Sequence, residues 1–126
     1  MRFVLACLLL LGGCAVTAPQ TGRPAYVVFF TERSAALDGP ARQVILEAAA
    51  AARAAPGAPV TVLGYTDSAG APDADIRLSQ ARARHVADAL AAGGVAPARI
   101  ARAGRGQTGE DPGVASRRVE IAIGAY

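Results

Sequence analysis

The sequence predicts an α+β fold: a two-layer sandwich in the order β-α-β-α-β-β, with two helices packed on one face of a small mixed sheet. Three observations predict it. Short β-prone runs recur at residues 26–31, 59–66 and 117–124. Two longer segments with apolar residues at helical spacing lie between them. Gly, Pro and Asp punctuate the junctions. At 126 residues the chain has room for one domain, and about 100 residues can bury a core without disulfides.

The first strand, 26–31, is followed by Asp38-Gly39-Pro40, a helix start with Asp38 as cap and proline in the first turn. Leu37, Ala41, Val44, Ile45, Ala48 and Ala52 then share one face, and Pro56-Gly57 ends the helix. Residues 59–66 alternate, setting Val60, Val62 and Gly64 against Thr61, Leu63 and Tyr65, which reads as a second strand. A turn from Asp67 to Pro72 leads into a second helix over 73–92, stopped by Gly93-Gly94. A short third strand is expected at 99–103, then a Gly-rich loop over 104–113. The closing strand, 117–124, sets Val119, Ile121 and Ile123 against Arg118, Glu120 and Ala122.

One position breaks the pattern. Leu78, Val86, Ala89 and Leu90 form the apolar stripe of the second helix, and Arg82 falls inside it. A guanidinium on the buried side needs something to face. The strand-turn-helix fold-back brings Asp67 near it. The two read either as a plain salt bridge that fixes the turn or as two walls of one cleft at the edge of the sheet.

Ahead of the domain, Met1-Arg2 is a basic start and residues 3–11 are apolar, far fewer than the roughly 20 a membrane-spanning helix needs. That is the pattern of a secretory signal. Leu11-Gly12-Gly13-Cys14 resembles the lipobox of bacterial lipoproteins, which implies a signal peptide over 1–13 and acylation of Cys14. An ordinary signal peptide that happens to contain cysteine is the alternative. Cys7 lies in the segment that would be removed, so Cys14 has no disulfide partner and lipidation would consume its thiol. Residues 14–24 read as a tether that reaches at most about 35 Å, and 25–126 as the domain.

Charge and motifs argue against most chemistries. The chain has a net charge of +3, no lysine, and no run of arginines interleaved with aromatics, so no nucleic-acid partner is expected. Gly104-Arg105-Gly106-Gln107-Thr108-Gly109 fits the dinucleotide pattern G-x-G-x-x-G. Glu110-Asp111-Pro112-Gly113 follows it, however, rather than the helix that would hold a pyrophosphate. His85 is the only histidine and has no cysteine near it to share a metal. Ser34, Ser68, Ser79 and Ser116 lie in no nucleophile elbow. Asp73 and Asp75 sit at a helix start, where acids favour the dipole. The expectation is a protein that is not an enzyme and takes no cofactor and no metal.

Gly64-Tyr65-Thr66-Asp67-x-x-Gly70, followed by Leu78-Ser79-x-x-Arg82-Ala83 with Val86 and Leu90, closely resembles the OmpA-like peptidoglycan-binding domain. Phe30, Ser34-Ala35-x-Leu37, Gly104-x-Gly106, Pro112 and Arg117-Arg118-Val119-Glu120 extend the resemblance over residues 25–124. The resemblance implies a non-catalytic grip on the cell wall. In it, the carboxylate of Asp67 takes the amine of a diaminopimelate residue in the stem peptide, and the guanidinium of Arg82 takes its carboxylate. Thr31, Thr66, Asp75 and Leu78 are the supporting contacts. This chain departs from the family at Asp75, where Asn is usual, at Thr31, where many members have Asp, and at Ser116, where Asn is usual.

With the lipobox, the chain resembles the peptidoglycan-associated lipoproteins of Gram-negative envelopes. The implied location is the periplasmic face of the outer membrane, because Ala15 is not the Asp associated with inner-membrane retention. The implied partners are peptidoglycan, the membrane through the lipid anchor, and Tol-type or other envelope proteins. A second reading keeps the fold as a protein-interaction module of an envelope or secretion complex, without wall binding.

Overall fold

The computed structural model describes residues 26–67, 70–109 and 113–124. In order they form β1 (Tyr26–Phe29), α1 (Gly39–Ala54), β2 (Val60–Thr66), α2 (Pro72–Ala92), β3 (Ile100–Gln107) and β4 (Arg118–Ile123), with 3-10 turns at Pro97–Arg99 and Val114–Ser116. The strands make one mixed sheet in the order β1-β4-β2-β3. β4 runs antiparallel to both β1 and β2, and β3 runs parallel to β2. The α+β sandwich expected from the sequence is the fold observed. The signal segment, Cys14 and the tether lie outside the described residues.

Register decides which face carries the core. Val60 stands opposite Ile123, Val62 opposite Ile121 and Gly64 opposite Val119, so the apolar set of β2 and that of β4 share one face. Against it α1 sets Ala41, Ile45, Ala48, Ala49 and Ala52, and α2 sets Ala83, Val86 and Leu90. Alanine dominates the α1 face, so that backbone can sit close to its neighbours. Asp38 caps α1 as expected, its Oδ1 accepting from Ala41 N at 2.8 Å.

The third strand departs from the expectation. Residues 104–107 belong to β3 and not to a loop, because pairing with β2 continues as far as Thr66 and Gln107. The glycines there serve close approach. A Cβ on Gly104 would collide with Gln80 N and Ser79 Oγ, and one on Gly64 would collide with Ser79 O. Helix α2 therefore rests directly on two bare backbones. Two steps along β2, Gly64 to Thr66, match three along β3, which is a bulge. Gly106 occupies it with φ +70° and donates its N–H to Ser79 Oγ at 2.9 Å. β1 ends earlier than expected, at Phe29, although Phe30 N still donates to Arg117 O at 2.9 Å.

Gly64→Ala should destabilise the domain by about 3 kcal/mol, since the methyl meets backbone that cannot rotate away. Urea unfolding monitored by circular dichroism measures it.

Candidate functional site

Beyond the end of β2, the segment after β1, the start of α2, the end of β3 and the start of β4 converge. Arg82 lies at the centre, 0% exposed and the largest fully buried side chain among the described residues. Its Nε donates to Ser34 O at 2.8 Å, Nη1 to Tyr65 O at 2.9 Å and Nη2 to Thr31 O at 3.2 Å. Its Cζ stands 5.1 Å from the centroid of the Phe30 ring, a cation–π contact. Burial pulls its pKa down to about 10, with Asp67 opposing that shift, Arg117 adding to it and Asp75 opposing it. The group therefore keeps its charge at neutral pH.

Asp67 is 8% exposed and forms an ion pair with Arg117, whose Nη1 lies 3.2 Å from Oδ2. Asp67 acts on Arg82 through space. Arg117 Nε donates to Phe30 O at 3.2 Å, which holds its guanidinium beside Asp67. The expected ligand contacts did not include Arg117. The available signal was the doublet Arg117-Arg118 at the start of a strand. Alternation sends one of the pair to each face, so one guanidinium must turn toward the helices. Its partner Arg118 lies on the far face, 4.7 Å from the Tyr65 ring centroid and 2.9 Å from Glu120 Oε1.

The supporting residues divide. Thr66 is buried and its Oγ1 has no hydrogen-bond partner among the described residues. Thr31 is exposed and contributes its carbonyl to Arg82; Leu78 is half-buried. Asp75 is buried in the first turn of α2, where the helix dipole favours an acid. Its Oδ2 accepts from Gln107 Nε2 at 2.7 Å, and the same amide donates to Gly70 O at 3.0 Å. An amide is thus present beside position 75, supplied by β3. Ser116 is buried and accepts from Thr108 Oγ1 at 3.0 Å. His85 Nδ1 lies 2.7 Å from Ala35 O, so its contact is with a backbone carbonyl.

Fold and site together define a two-layer α+β domain that gathers one largely buried carboxylate and two guanidinia at one end of its sheet. The chain belongs to the OmpA family, whose model matches residues 29–120. It is similar to the probable lipoprotein YiaD of Escherichia coli (strain K12), with 38% identity over 104 residues, 76% of this chain and 47% of that protein. It is also similar to the peptidoglycan-binding protein ArfA of Mycobacterium tuberculosis (strain ATCC 25618 / H37Rv), with 42% identity over 78 residues, 56% of this chain and 24% of ArfA. The chain thus spans less than half the length of either curated relative. The crystal structure of the peptidoglycan-associated lipoprotein from Burkholderia pseudomallei has the same fold, with a TM-score of 0.72 at 23% identity over 78% of this chain and 89% of that one.

Arg82→Met should destabilise the domain by about 3–5 kcal/mol, because it leaves three carbonyls without their donor and removes a buried positive charge near Asp67 and Asp75. Arg117→Met, at a partly exposed pair, should cost about 1–2 kcal/mol. Chemical denaturation of both variants beside the wild type tests that ranking.

Proposed function

We propose that the domain binds peptidoglycan non-covalently by the side-chain end of a diaminopimelate residue in the stem peptide. The observation that carries this reading is the grouping of Asp67, Arg117 and Arg82 at one end of the sheet. That end of diaminopimelate bears one amine and one carboxylate, and the cluster offers both opposite charges. Asp67 exchanges Arg117 for the amine. The released Arg117 and the donors of Arg82 not held by carbonyls take the carboxylate. Arg117 is the guanidinium the ligand meets first, and contact with the enclosed Arg82 requires the segment above it to shift. The unpartnered Thr66 hydroxyl, next in the chain to Asp67, supplies a further polar contact. No bond is made or broken. Similarity to ArfA, a peptidoglycan-binding protein, supports peptidoglycan as the wall component bound.

In this reading residues 1–13 are a signal peptide, Cys14 carries the lipid, 14–24 are the tether and 25–126 bind the wall. The lipobox and Ala15 support anchoring at the periplasmic face of the outer membrane, where Tol-type proteins are candidate partners. A second reading, an envelope interaction module without wall binding, is favoured by the complete burial of Arg82 and its three bonds to carbonyls.

Purified sacculi should co-sediment the wild type, and free diaminopimelate should release it. Asp67→Asn, folded by circular dichroism, should bind at least about tenfold more weakly for the lost ionic contact. Binding by Asp67→Asn equal to wild type, or insensitivity of the wild type to diaminopimelate, would establish the second reading.

Cys14→Ser should abolish incorporation of labelled palmitate and shift the protein from the membrane to the soluble fraction.

A further inference from the structure

β3 is an edge strand. Among the described residues it pairs with β2 alone, so its other side presents a row of main-chain donors and acceptors with no strand beside it. Alongside, between β3 and α2, lies a groove of about 410 Å³ lined by Gln80, Ala83, Arg84, Arg102, Ala103 and Gly104. A second recess of about 320 Å³ shares Arg102 and extends along the same helix past Asp88 to Pro97. The groove has a floor of small residues, so an added chain can approach closely. Arg84 and Arg102 are exposed, and neither makes a hydrogen bond or ion pair among the described residues.

Backbone and charge together select the occupant. Two copies of this chain meeting edge to edge would bring Arg102 and Arg105 of each against those of the other, which repels. A bare polyanion would satisfy the guanidinia and leave the strand edge unused. An extended peptide with acidic side chains satisfies both. We propose that β3 takes up an acidic extended segment of a partner protein as an added strand, with its carboxylates entering the α2–β3 groove to pair with Arg84 and Arg102. Asp88 lines the far recess, so the acidic residues fit at the Arg84 end and the segment is bound in one direction. The groove shares no residue with the cluster of Asp67, Arg82 and Arg117, so this surface stands or falls independently of wall binding.

The test uses the full-length protein in detergent micelles, isotope-labelled, titrated with a seven-residue peptide alternating Glu with Val, its Lys counterpart, and inorganic polyphosphate. The Glu peptide should shift the amides of residues 100–107 and slow their hydrogen exchange, and the Lys peptide should not. Arg84→Glu combined with Arg102→Glu, both at exposed positions, should weaken Glu-peptide binding at least about tenfold while the amide spectrum stays folded. The proposal is overturned if the Glu peptide fails to bind at millimolar concentration, if the Lys peptide binds equally well, or if the double variant binds as the wild type does. Binding of the peptide and polyphosphate alike, with no slowed exchange along β3, would mark a plain anion site and overturn it as well.

Discussion

A guanidinium sealed inside the sandwich is the constraint on which the cluster of Asp67, Arg82 and Arg117 depends. A charge with no exposed surface survives only if its donors are satisfied and counter-charges stand nearby. Arg82 meets both conditions through parts of the chain far apart in sequence. Thr31 and Ser34 come from the segment after β1, Tyr65 from the end of β2, and the compensating charges from Asp67 and Asp75. Moving any of these breaks a bond to the guanidinium, so a ligand that reaches Arg82 must replace that bond. The Asp67–Arg117 pair is more exposed than Arg82.

What places Arg82 there is the absence of two side chains. Gly64 and Gly104 let α2 lie against the backbone of β2 and β3, and Ser79 then bridges the helix to the bulge through Ile76 O and Gly106 N. Ser79 and Arg82 are one turn apart on the same buried face. Fixing the first against the sheet fixes the second over the end of β2. Close packing and charge placement are one arrangement at this point.

The parts of this arrangement differ in how plainly the sequence shows them. The cap at Asp38 and the alternation of β4 were legible, because each depends on neighbours within a few residues. The inward direction of Arg82 was legible from helical period alone. What it faces was not, because a backbone carbonyl has no sequence signature. Gly104 and Gly106 read as loop because the letter that permits a turn also permits close packing, and only the position of α2 distinguishes the two. The place of Arg117 and Gln107 at the site has no local signature for a related reason. Their partners Asp67 and Asp75 lie 50 and 32 residues away, and only the strand order brings them together.

That strand order governs how the domain comes into being. β4, the last of the described strands, lies between β1 and β2. Until it is available, β1 has no strand neighbour among the described elements, and β2 has only its parallel neighbour β3. Nucleation must wait for contacts of long sequence separation, the slowest kind to form. A nascent chain shorter than the whole domain cannot close its sheet, and the residues of the cluster stay scattered along an open polypeptide. Such a chain remains open until β4 emerges.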